Sequence, residues 1–274
     1  MSQPVILVPL DGSENALAAL LVAKGFAEIV GGTRHILHVA DHKAPPVELL
    51  GRLGLTPAEL RGATIEAKTG EPATMILDAA KEAKADLIVM CTHTAPAKPG
   101  QILGRTAFGV LRGASCPVVL VHPERGLHDW RLHRILLPHD GSPATSTALR
   151  SAGEFARRVG AELIVLLVAA AGAAKPAERG SLTTPFYLDQ PQHEWPAWAR
   201  EFIDRLACLC PLDDLRVRLI LAHGSPEAEI VRVAAEQSAD LVVLAWRGEW
   251  GPEHAATLKA VLRRAPCPMM VVRV

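Results

Sequence analysis

The sequence predicts an α/β fold laid down twice, as two tandem doubly wound units with helices on both faces of a parallel sheet. Three blocks that recur in the same order predict it first. VILVPLDGSENALAAL at Val5–Leu20 returns as RILLPHDGSPATSTAL at Arg134–Leu149. GEPATMILDAAKEAKADLIVM at Gly70–Met90 returns as GSPEAEIVRVAAEQSADLVVL at Gly224–Leu244, and VLRGASCPVVLV at Val110–Val121 as VLRRAPCPMMVV at Val261–Val272. A repeat this long is a duplicated domain rather than a solenoid. The second observation is alternation: short, continuously apolar runs alternate with segments of helical spacing, the signature of a parallel sheet. The third is length, since halves of about 125 and 145 residues can each bury a core.

The elements of the first unit follow in order. Val5–Pro9 is an apolar run ending at Asp-Gly, which reads as a strand buried on both faces. Ser13 is placed to cap a helix carrying Ala16, Leu17, Leu20 and Leu21 at helical spacing, stopped by Gly31-Gly32. Arg34–Val39 reads as the second strand. Residues 40–62 are punctuated by Pro and Gly, with two short helices expected. Thr64–Ala67 is the third strand, and Pro72 in a first turn opens a helix to about Ala83. Asp86–Met90, a helix over Gly104–Arg112 and the strand Val118–Val121 complete the unit. Domain bounds are expected at 1–123 and 132–274, with 124–131 as linker. The second unit adds a segment at 169–191 rich in Ala, Gly, Pro, Ser and Thr, which reads as a lid or an interface. A helix over Glu194–Leu209 follows, with Trp195 and Trp198 at its start as core anchors or interface residues.

Composition excludes several classes. Basic and acidic residues balance at 29 each, so no basic excess exists to neutralise nucleic acid or an acidic membrane. No apolar run approaches the length of a membrane helix, and the start MSQPVILVPLDG reads as no signal peptide, so the cytoplasm is the expected compartment. Cys116 and Cys267 occupy equivalent positions and read as buried thiols. Cys208 and Cys210 are expected to point apart on a helix, without the further ligands a metal needs. His38, Asp41 and His42 follow the second strand but fall short of a convergent ligand set, so no metal is assigned. His139 beside Asp140 is a candidate general base. No G-x-S-x-G elbow, G-x-x-x-x-G-K-S/T loop or H-E-x-x-H helix is present, and binding is expected rather than catalysis.

The three repeated blocks resemble the universal stress protein family over nearly the whole of both halves. The resemblance implies two five-stranded sheets of order 3-2-1-4-5, related by a pseudo-twofold, and a role in stress adaptation or signalling. In this family fifth strands often pair antiparallel and join single-domain members into dimers. Pro117–Val121 and Pro268–Val272 are therefore expected to pair within one chain as an intrachain pseudo-dimer, the alternative being sheets that meet only through helices. A homodimer or other homo-oligomer is a further expectation.

Many members of the family bind ATP through G-x2-G-x9-G-S/T after the fourth strand, and an Asp after the first strand faces the adenosine. Glycines let backbone N–H groups approach phosphates, and a helix N-terminus favours the anion. In the first unit the motif positions fall on Cys91, Thr94, Gly104 and Arg105, with its spacing kept but only Gly104 retaining glycine. Thr106 offers a hydroxyl beside Arg105, Lys98 offers charge, and Asp11 and His93 match the nucleotide-binding pattern. Strands of such a sheet present ligand sites at their carboxyl ends, which adds Pro9, Val39 and Met90. The resemblance thus implies ATP as ligand of the first unit, and Asp11-Gly-Ser as a mere strand-to-helix turn is the alternative. In the second unit the positions fall on Ala245, Gly248, Ala255 and Ala256, with a loop three residues shorter crowded by Trp246, Arg247 and Trp250. That copy is expected to be degenerate. A weak ATP hydrolase and a nucleotide-free protein-interaction scaffold are the alternative functions.

Overall fold

The computed structural model describes residues 3–40, 51, 53–56, 59–93, 102–123, 129–169, 194–251 and 255–274. They group into two units, Met1–Arg131 with Cys267–Arg273, and Leu132–Pro266 with Val274. Thr94, Lys98, Asp41, His42, most of the 124–131 linker, nearly all of the 169–191 insertion and the side chains of Trp195 and Trp198 lie outside the described residues.

In the first unit β1 (Val5–Pro9) has a fully buried apolar interior, as a central parallel strand requires. Gly12 turns the chain with φ 89°, a left-handed conformation that glycine adopts without strain. Ser13 then caps α1 (Glu14–Val30) by accepting from the Ala16 N–H, and Gly31 closes it with φ 62°. β2 (Thr33–Ala40), β3 (Ala63–Thr69), α2 (Pro72–Glu82), β4 (Leu87–Cys91), α3 (Arg105–Gly113) and β5 (Val118–Val121) follow. The sheet order is β3-β2-β1-β4-β5, and these neighbours are all parallel. The strand β10 (Met269–Arg273) belongs to this unit and runs antiparallel to β5, with Met269 opposite Leu120 and Val271 opposite Val118. The expected pairing of the two terminal strands is therefore present.

The second unit repeats the pattern: β6 (Arg134–Pro138), α4 (Pro143–Val159), β7 (Glu162–Ala169), α5 (Glu194–Leu209), β8 (Arg216–His223), α6 (Pro226–Glu236), β9 (Leu241–Trp246) and α7 (Ala256–Arg264). Its order is β9-β6-β7-β8. Ser142 caps α4 through the Thr145 N–H, and Gly160 closes it with φ 64°. No helix of the described residues is long and apolar enough to cross a membrane.

Both units use one device to fix the register of the first strand. Asp86 Oδ2 accepts from the Val5 N–H at 2.8 Å while the Asp86 N–H donates to Val5 O. Asp240 Oδ2 accepts from the N–H groups of His133 (2.7 Å) and Arg134 (2.8 Å), and its own N–H donates to Arg134 O. Not every strand is continuously apolar: β3 and β8 are half-exposed. They carry Glu66 and Lys68, and Arg216 and Arg218, as charged outer strands that resist pairing with other chains.

The cysteines refine the expectation. Cys267 is buried, whereas Cys116 is only half-buried, with burial still pushing its thiol up to about 11. Cys210 lies beyond the end of α5 and is buried while Cys208 is exposed, so the two do separate, but not as neighbours on one helix.

The helices α2 and α3 pack closely because Gly109 has no side chain. A Cβ built there would stand 2.7 Å from the Ala73 Cβ, and neither atom can rotate away. Gly109→Ala should therefore destabilise the first unit by roughly 1–3 kcal/mol through overpacking, measured as a lowered denaturation midpoint. An unchanged midpoint would show that the two helices yield freely.

Candidate functional site

The chain leaves β1 for β2 on one side, while β4 lies on the other, so strand order reverses between β1 and β4. A crevice outside the carboxyl ends of the strands is expected at such a point, and the first unit has a cavity of about 710 Å³ there. Pro9, Leu10 and Asp11 from the end of β1, and Leu37 and Val39 from β2, line it. Met90 to His93 come from the end of β4, Gly104 to Ala107 from the start of α3, and Ala16, Pro72 and Ile76 from the flanking helices. Pro9, Asp11, Val39, Met90, Cys91, His93, Gly104, Arg105 and Thr106, singled out in the sequence, all reach this wall. Leu10 and Thr92, expected beside them at the strand ends, line it too, whereas Ala16, Leu37, Pro72, Ile76 and Ala107 were not singled out. Leu37 was detectable as the residue two before Val39 on one strand face, and Ile76 as the residue one helical turn beyond Pro72.

Several polar groups at the wall have defined partners. Asp11 Oδ1 accepts from the Ser13 N–H at 3.0 Å and from its hydroxyl at 2.7 Å, an Asx turn that aligns the capping serine. Cys91 donates its thiol to Asn15 O at 2.9 Å. Burial pushes that thiol up to about 12, so it ties β4 to α1 as a neutral group and is no nucleophile. Thr92 is fully buried, and its hydroxyl meets His93 Nδ1 at 2.9 Å. The His93 ring packs edge-on to His122 at 5.0 Å.

Gly104 precedes α3 with φ −62° and gives it no side-chain cap. Its own N–H donates to Thr92 O at 2.7 Å. The first turn of α3, Gly104 to Ala107, lines the cavity and carries the partial positive charge of a helix N-terminus.

His38 turns out to be a strut. It is buried, and its Nδ1 meets Leu10 O at 2.8 Å; a carbonyl only accepts, so this nitrogen donates, and the bond fixes the turn after β1. Among the described residues no group of three or more His, Cys, Asp or Glu side chains is placed to hold a metal ion.

The equivalent cavity of the second unit holds about 360 Å³. Trp246 is buried and donates its ring N–H to Glu249 O at 2.9 Å. Trp250 packs edge-on to it at 6.0 Å. Lys259 donates to Trp250 O at 2.8 Å and lies 5.1 Å from the Trp250 ring, a cation–π contact. Trp246, Glu249 and Trp250, at and just after the end of β9, are thus tied together, and Lys259 of α7 is committed to the same contacts.

His139 does not have the free base expected of it. It is buried, its Nδ1 accepts from the Gly141 N–H at 2.9 Å, and Phe202 packs edge-on at 5.3 Å. The proton therefore sits on Nε2, facing Ser146 Oγ at 3.3 Å. Burial lowers its pKa to about 4, against the pull of Asp140. Burial pushes the Asp140 carboxyl up, but hydrogen bonds from Ser142 and Thr145 outweigh it and hold the group below its usual range.

Comparison with known proteins gives a consistent picture. The universal stress protein family matches residues 54–122 and 131–273. A universal stress protein of Thermus aquaticus is 38% identical over 133 residues, 42% of this chain and 96% of that protein. One of Mycolicibacterium smegmatis is 36% identical over 113 residues, 40% of this chain, and the match spans only 37% of that longer relative. The crystal structure of a universal stress protein from Archaeoglobus fulgidus superimposes with a TM-score of 0.70 at 20% identity, covering 100% of this chain and 99% of that one. That last likeness concerns the fold alone.

Proposed function

The chain belongs to the universal stress protein family, and from that premise we propose that it is a stress-response binding module whose first unit takes an adenine nucleotide. The observation that carries the reading is the cavity of about 710 Å³ at the strand-order reversal. Its volume falls in the range of small-molecule sites, and its walls combine apolar faces with a few convergent polar groups. Leu37, Val39, Met90 and Ile76 offer surface to a base, Asp11 a carboxylate to hydroxyls, and the start of α3 a place for an anion. The second unit, with half the volume and with Trp246, Trp250 and Lys259 tied together at the end of β9, is read as a copy that seats no nucleotide. The role is binding rather than turnover, and the cytoplasm is its proposed compartment.

Calorimetric titration of the full chain with AMP and ATP tests this. Saturable binding at one site per chain is expected. Val39→Trp, which fills the cavity from β2, should weaken it by about tenfold or more while leaving the helical content unchanged. Absence of saturable heat from both nucleotides would overturn the reading.

A further inference from the structure

We propose that the cavity of the second unit is a binding site in its own right, for a small aromatic molecule that carries a hydrogen-bond donor. This goes beyond the nucleotide reading of the first unit and does not depend on it. The two cavities are lined by equivalent positions of the repeat, so their walls compare side chain by side chain. One part is kept: Leu166, Val168, Ile230 and Leu244 line the second cavity where Leu37, Val39, Ile76 and Met90 line the first. Elsewhere the wall is bulkier, with Trp246 in place of Thr92, Leu258 of Ala107 and Thr145 of Ala16. The volume falls accordingly, from about 710 to about 360 Å³. What remains is a small space with apolar faces from β7, α6 and β9, still within the range of small-molecule sites. An aromatic ring system buries much apolar area in such a space with few rotors to freeze.

The wall is also fixed in advance. The Trp246 ring N–H is already donated to Glu249 O at 2.9 Å, and Trp250 packs against the ring, so a ligand has little left to order. Trp246 therefore offers apolar surface and no hydrogen bond. The acceptor of the site is Asp140, which lines it. Its Oδ1 accepts from the Ser142 N–H and from the Thr145 hydroxyl, each at 2.9 Å, and these bonds hold the carboxyl below its usual range against burial. Among the described residues its Oδ2 accepts no hydrogen bond. An ionised carboxylate only accepts, so the ligand must present an N–H or O–H to it. Arg247, which also lines the cavity, is exposed and, as a guanidinium, supplies no competing acceptor.

The test is calorimetric titration of the full chain with two probes, indole and 1-methylindole, which differ by the N–H. Indole should bind at one site per chain, tighter than 1-methylindole by about threefold or more. In Asp140→Asn the side-chain carbonyl keeps the bonds from Ser142 and Thr145 and an NH2 replaces the accepting oxygen, so indole should fall to the level of 1-methylindole. Val168→Trp, which fills the cavity from β7, should weaken indole by about tenfold or more with helical content unchanged, and saturating AMP should not displace it. No saturable indole binding, or binding that survives Val168→Trp or yields to AMP, overturns the site. Equal affinity for the two probes overturns the need for a donor, and a preference for indole that persists in Asp140→Asn overturns the role of Asp140. A failed nucleotide titration of the first unit leaves each of these outcomes as it stands.

Discussion

Acidification is expected to remove about 3 kcal/mol from the stability of the second unit through His139 alone. In the unfolded chain this imidazole titrates near 6.5, whereas burial among Phe202, the Gly141 N–H and the start of α4 lowers it to about 4. Above 6.5 neither state carries the proton, and the contribution is fully present. Between 6.5 and 4 the unfolded chain binds a proton that the folded one refuses, so stability falls as pH falls. Below about 4 both states are protonated and the loss is complete. The remedy for an uncharged buried ring is an uncharged replacement: His139→Gln retains an acceptor for the Gly141 N–H but cannot titrate. Denaturation followed between pH about 7 and about 4 should give a slope for wild type that is steeper than for His139→Gln by about 3 kcal/mol over the interval. Equal slopes would show that His139 is charged, or freely solvated, in the folded protein.

Trp130→Ala should cost the first unit about 3–5 kcal/mol. Trp130 is only 7% exposed, and its ring lies 4.8 Å from that of Phe26, which is fully buried beneath it. The ring comes so close to α1 that a Cβ on Gly25 would stand 2.7 Å from its Cε3. The two positions are therefore coupled. Gly25→Ala alone forces the indole off its seat, whereas in the Trp130→Ala background the added methyl enters the vacated space. A double-mutant cycle should show a favourable interaction of about 1 kcal/mol or more. Purely additive effects, or a loss for Trp130→Ala below about 1 kcal/mol, would mean that Trp130 merely covers a surface.

Much of this architecture is legible in the residues because central strands and capped helices advertise themselves. VILVP and RILLP are apolar throughout since both faces are covered, and Ser13 and Ser142 stand where the first turn of a helix needs an acceptor. The outer strands β3 and β8 speak less clearly, because half their side chains meet water and ATIEAKT carries more polar than apolar residues. Trp130 was invisible as a core residue: it follows a polar, Pro- and Gly-containing stretch, and one aromatic in a loop has no periodicity to reveal its direction. Asp86 was read as the start of the fourth strand and Asp240 as a letter of the repeated block. Their role in clamping the backbone of β1 and β6 depends on a neighbour far away in sequence. At the cavity, the strand-end rule finds Pro9, Val39 and Met90, while Pro72 reaches it from a helix whose approach no local pattern encodes, and Ile76 follows only once Pro72 is placed. His139 shows the opposite failure, since adjacency to Asp140 suggested chemistry and burial turned it into packing.

The antiparallel strand at the margin of the first unit has a consequence for how the molecule is born. β5 ends at Val121, but the partner of Val118–Leu120 begins only at Met269. At ~5–20 residues per second a ribosome takes on the order of ten seconds to emit the intervening polypeptide. For that interval the nascent chain holds out VVLV, an apolar ribbon with open backbone groups, to whatever passes. Translation speed and chaperone attendance are thus built into the yield of this protein, ahead of any question of its equilibrium stability.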